Sequence, residues 1–90
     1  MVKQKFRIKV RPSVEKDLNH IDTRYHRKIW ESIYSLIDDP LPKEHKKLQG
    51  SEKHYRIRVG RYRIVYELSL ELKTVYIQRI KPRQSVYRKK

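Results

Sequence analysis

Ninety residues suffice for one domain and leave no room for a second, so nearly every apolar side chain must serve one core. The absence of cysteine removes disulfide frameworks, thiolate zinc sites and a cysteine nucleophile, and fits the reducing cytoplasm, the expected location. Lys and Arg number 24 against 10 Asp and Glu, a formal +14 at pH 7, and such a field draws polyanions: nucleic acid, an anionic membrane or an acidic protein.

Residues 1–10 alternate basic and apolar, unlike a signal peptide's continuous apolar core, and no stretch approaches membrane-spanning length. Lys5–Arg11 (KFRIKVR) sets Phe6, Ile8 and Val10 on one side and Lys5, Arg7, Lys9 and Arg11 on the other, the period-2 pattern of a half-buried strand. Pro12 and Ser13 open a short helix to about His20, with Val14, Leu18 and Ile21 one turn apart. Asp22 or Thr23 can cap a second helix, Arg24 to about Asp38, whose stripe is Tyr25, Ile29, Ile33 and Leu36 or Ile37 with Trp30 on its flank. Asp39-Pro40-Leu41-Pro42 ends it, because each proline disfavours helix at the residue before it.

A basic loop, Lys43–Gly50, leads into three predicted strands, Lys53–Val59, Tyr62–Leu68 and Lys73–Ile80. Gly60-Arg61 suits a two-residue hairpin turn. The order strand, helix, helix, strand, strand, strand predicts an α+β fold, a mainly antiparallel four-stranded sheet with two helices on one face. Arg88–Lys90 form a basic tail, expected to be disordered. His20, His26 and His45 lack metal-ligand spacing and read as surface residues. No glycine-rich nucleotide loop or serine triad is present, so neither metal nor cofactor is expected. Trp30 and the helix tyrosines have the spacing of a core face and are expected to pack on the sheet.

The charge clusters on the hairpin. Tyr55, Ile57 and Val59 share one face of the first strand and His54, Arg56 and Arg58 the other, with Arg63, Val65 and Glu67 continuing the polar face on the second. A two-residue turn pairs Val59 with Tyr62, Arg58 with Arg63 and Ile57 with Ile64. Like charges directly opposite destabilise a sheet by roughly 0.2–1 kcal/mol, so Arg58 facing Arg63 calls for an anion. A phosphate in the guanidinium fork supplies one. The alternative is that these arginines lie over tyrosines or pair with Glu67, Glu71 or Glu52. Arg61, on the turn, either joins the cluster or is solvated.

KLQGSEKHYRIRVGRYRIVYEL, Lys47–Leu68, followed by VYIQRIKPRQSVY, Val75–Tyr87, resembles the RelE/ParE superfamily of toxins from toxin–antitoxin modules. The likeness rests on Leu48 and Gly50 before the hairpin, the tyrosine, basic and apolar alternation of Tyr55–Tyr66 about a glycine turn, and the closing Arg83 and Tyr87. It covers almost the whole chain, and the element order agrees with it. RelE-like members cut messenger RNA in the ribosomal A site, whereas ParE-like members poison DNA gyrase on the same scaffold. The residues favour cleavage: the resemblance implies an active surface at Arg56, Arg58, Arg63, Arg83 and Tyr87. Three hairpin arginines would clamp the phosphate, Arg83 would stabilise the leaving oxygen and Tyr87 would stack on a base. RelE's best-known pattern has lysines where this chain has Arg56 and Arg58, and arginine is a poor general base, so His54 is the candidate base, with Lys53 and Lys81 behind it. Some relatives have a histidine before the final arginine, a place held here by Pro82. Lys53, Arg61 and Lys81 are expected RNA contacts. The implied partners are a RelB-like antitoxin in a hetero-oligomer and the ribosome with its A-site mRNA. The rivals are a gyrase-poisoning toxin and a basic RNA- or ribosome-binding module without activity.

Overall fold

The computed structural model describes residues 5–82. In chain order these form β1 (Arg7–Val10), α1 (Pro12–Asn19), a 3-10 turn (Thr23–Tyr25), α2 (His26–Ser35), β2 (Lys46–Lys47), β3 (His54–Val59), β4 (Tyr62–Ser69) and β5 (Thr74–Pro82). One sheet holds all the strands in the order β1-β5-β4-β3-β2, with β1 parallel to β5 and every other neighbour antiparallel. The α+β architecture and the sheet's mainly antiparallel character are as expected. The strand count is not: β2 lies in the stretch read as a basic loop, where Lys46 and Lys47 pair with Arg56 and Tyr55. Two residues cannot display an alternation, so periodicity is blind to such a strand.

The second helix is shorter than its apolar stripe suggests. Asp22 accepts from the Arg24 N–H at 2.8 Å and caps a tight 3-10 turn, and only from His26 does the backbone settle into α geometry. The stripe works as expected: Ile29, Ile33 and Leu36 are fully buried and meet Val14, Leu18 and Ile21 against the apolar face of the sheet, from Ile57, Ile64 and Tyr66 to Val75 and Ile77. The Tyr66 hydroxyl donates to the Pro40 carbonyl at 2.6 Å, tying the end of the helical layer to the central strand, and burial pushes this phenol's pKa up.

Three side chains depart from expectation. His26 and His45 are half-buried, because each ring satisfies local carbonyls. His26 Nε2 donates to Leu18 and Ile21 at the end of α1, and His45 Nδ1 to Pro42. Tyr34 is 55% exposed and does not reach the sheet. It follows Ile33, about 100° around the helix from the core, and stacks on the half-buried Trp30 with ring centroids 5.7 Å apart. Among the described residues no helix is long and apolar enough to cross a membrane.

Candidate nucleic-acid interface

The β3–β4 hairpin has the register that a two-residue turn requires: Val59 opposite Tyr62, Arg58 opposite Arg63 and Ile57 opposite Ile64. Gly60 has φ +60° and Arg61 does not share that sign, the pattern of a type II′ turn, whose twist matches the strands. With the helices on the apolar face, the other face is left to polar side chains. β5 extends the pairing, because Arg63 faces Lys81 as directly as it faces Arg58. Arg58, Arg63 and Lys81 therefore form one row across three strands, neighbours about 5 Å apart. A second row begins one pleat away with Lys46, Arg56, Val65 and Arg79. Among the described residues neither Arg56, Arg58 nor Lys81 forms an ion pair with an acid, so Glu52, Glu67 and Glu71 do not neutralise Arg56 or Arg58. Arg61 stands exposed on the turn and Lys53 exposed just before β3.

Lys81 depends on an arrangement that strand periodicity does not reveal. β1 ends at Val10, opposite Ile77, while β5 runs on to Pro82, leaving an outer edge that no strand among the described residues flanks. The first turns of α1, with the residue before them, take that place. The Arg11 N–H donates to the Ile77 carbonyl at 3.0 Å, and the Ser13 hydroxyl to the Gln78 carbonyl at 2.8 Å. The Asp17 carboxylate accepts the Ile80 N–H at 2.8 Å and both forks of Arg79 at 2.9 Å. Hydrogen bonds from Arg79 hold the Asp17 carboxyl below the usual carboxylate range, outweighing the opposite push of burial, and the Ile80 N–H adds to the lowering. A bulge sits at the same point: Ile77 faces Tyr66 and Arg79 faces Val65, so Gln78 is the extra residue. Ser13 and Asp17 are four apart on a helix, beside the buried pair Val14 and Leu18; this polar stripe next to the core stripe was the available signal.

His54 occupies the opposite end of the face. It is four residues from Arg58 along β3, roughly 13 Å. Its Nδ1 lies 2.6 Å from the Ser51 hydroxyl and its Nε2 3.9 Å from Glu67 Oε1. The polar chain continues across the sheet: Gln78 Nε2 donates to Glu67 Oε1 at 3.3 Å, and Arg11 Nη1 to Gln78 Oε1 at 2.6 Å. Arg56 thus stands between the cationic row and this network. Arg83 and Tyr87 lie outside the described residues. No three His, Asp or Glu residues gather as a metal site among the described residues.

A family model described as the ParE toxin of the type II toxin–antitoxin system matches residues 8–87. The chain belongs to the RelE/ParE toxin superfamily. Toxin RelE3 of Methanocaldococcus jannaschii is 35% identical over 78 residues, covering 80% of this chain and 84% of that one. A second protein of that organism, carrying the RelE1 toxin name, is 32% identical over 93% of this chain and 97% of its own. Among solved structures, the archaeal RelE–RelB complex from Pyrococcus horikoshii aligns with a TM-score of 0.80 and 30% identity over 91% of this chain and 99% of that one. The RelBE2 complex of Mycobacterium tuberculosis gives 0.76 and 26% over 88% and 99%. In this member of the superfamily, then, the scaffold's open sheet face carries an arginine–arginine–lysine row set between the hairpin turn and the helix-clamped end of β5.

Proposed function

We propose that this toxin is a ribosome-dependent endoribonuclease that cuts messenger RNA and so halts translation in the cytoplasm. The supporting observation is the in-register row Arg58–Arg63–Lys81, like charges held side by side on a rigid sheet. Such a row suits a phosphoryl group whose transition state gathers negative charge on its oxygens. Arg56, Arg58 and Arg63 clamp that phosphate. The ribose 2′-oxygen forms a bond to phosphorus, its proton passes to a base, and the bond to the 5′-oxygen of the next nucleotide breaks, leaving a cyclic phosphate on one strand and a 5′-hydroxyl, protonated from water, on the other. Lysine can release its proton where arginine cannot, so Lys81 is the better base in this geometry, and His54, a long reach away, serves binding. Arg83 and Tyr87 keep the roles the resemblance implies, stabilising the leaving oxygen and stacking on a base. Lys53 and Arg61 flank the RNA as phosphate contacts.

A RelB-like antitoxin that covers the basic face is the expected partner, since the similar P. horikoshii and M. tuberculosis toxins were solved bound to their antitoxins and a +14 chain gains from an acidic one. The ParE description of the matching family model favours gyrase poisoning as the second reading. Primer extension on mRNA translated with the pure toxin separates the two. Cuts in register with codons are expected; their absence, combined with trapped gyrase–DNA complexes, would overturn the nuclease assignment.

A further inference from the structure

We propose that the Glu67 end of the open sheet face is a nucleobase-reading subsite, selecting bases that carry an exocyclic amino group over uracil at one fixed position relative to the cut. The inference rests on the RNA-cleaving function proposed above and assigns the specificity of the same face. Among the described strand residues of that face, Glu67 is the one carboxylate among arginines and lysines. A surface that gripped phosphate alone would be weakened by it. Glu67 borders a depression of about 360 Å³ together with Arg11, Lys53, Tyr76 and Gln78, with Glu71 of the β4–β5 turn at its rim, a volume within the range of small-ligand sites.

The donor and acceptor pattern there is set in advance. Gln78 is oriented from both ends: its carbonyl oxygen accepts from Arg11 at 2.6 Å, which turns its amide nitrogen toward Glu67 at 3.3 Å. Among the described residues both contacts of Glu67, to Gln78 and to His54, go to Oε1, which leaves Oε2 as the acceptor for a ligand. Adenine, cytosine and guanine each present an exocyclic amino donor to a carboxylate, whereas uracil has none: its one edge donor, N3–H, lies between two carbonyl oxygens that a carboxylate repels. Tyr76, directly across from Glu67, supplies an aromatic ring for stacking. The subsite lies four residues down β4 from Arg63, roughly 13 Å, within reach of a short run of single-stranded RNA held by the cationic row.

The test maps every cut made by the wild-type toxin in a pool of translated mRNAs with randomised codons, then repeats the map with Glu67→Gln and Glu67→Ala, whose folds are checked by thermal melting. Wild-type cuts should be depleted of uridine at one fixed position by roughly tenfold or more, the scale of a charge-assisted hydrogen bond. Glu67→Gln should restore uridine there, because an amide also donates, while cutting persists. An unchanged base distribution in a variant that still cuts overturns the subsite and leaves the nuclease assignment standing. So does a uniform rise in cutting at all sites, which would mean that Glu67 only tempers charge. No cuts by the wild-type toxin would overturn both proposals.

Discussion

Asp17→Ala asks whether α1 truly substitutes for a missing strand along β5. The carboxylate is 12% exposed and holds the Ile80 N–H at 2.8 Å, in a residue that is 3% exposed. Alanine leaves that buried donor without its acceptor, at a cost of about 1–3 kcal/mol. The exposed Arg79 side of the pair adds little, because water screens it. For a domain of this size the melting temperature should fall by roughly 5–20 °C. The pH dependence follows from the direction of the shift. The folded pKa of Asp17 lies below its unfolded value near 4, so its contribution is complete above that value and is lost as pH falls through the folded one. The urea midpoints of wild type and variant should therefore differ most at pH 7, and the gap should narrow as pH falls below about 4. A difference below about 0.5 kcal/mol at pH 7, the scale of an ordinary surface substitution, would refute the clamp. So would a gap that is unchanged in acid.

Three further outcomes follow from the same geometry. Ile33→Ala, at a fully buried position, should cost about 2–5 kcal/mol in urea unfolding. Tyr66→Phe strips the Pro40 carbonyl of its donor and should cost about 1–2 kcal/mol by the same measurement. At Gly60 an added Cβ meets nothing within 4 Å, so Gly60→Ala should lose only the cost of a left-handed backbone, about 1–2 kcal/mol of stability, with the hairpin register intact in amide exchange.

Where the sequence was informative, a repeat spacing met an environment that rewards it. Alternation through Tyr55–Tyr66 and a single glycine sufficed to pair Arg58 with Arg63, because a two-residue turn allows one register. The stripe Ile29, Ile33 and Leu36 gave the core face of α2 for the same reason. β2 escaped notice because two residues have no period, and the row's third member escaped because the partner of Arg63 on β5 depends on a bulge at Gln78. Lys81 therefore read as a flanking cation, and Asp17 carried no signal of its own in the sequence. His54 was singled out as a candidate base from its face alone, and face membership carries no distance along the strand. Its links to Ser51 and Glu67, like the course of β5 past the end of β1, are tertiary facts that local spacing does not encode.

The central claim is that the Arg58–Arg63–Lys81 row acts on an RNA phosphate, and single-turnover cleavage of ribosome-bound mRNA tests it most directly. Arg58→Ala and Lys81→Ala should each slow cleavage by roughly 10²-fold or more, the scale of removing one preorganised charge-stabilising donor. Lys28→Ala, the same charge change at an exposed site on α2, should alter the rate only a few-fold, through long-range attraction. Equal, modest losses in all three variants would show that net charge, and not the row, accounts for whatever this protein does to RNA.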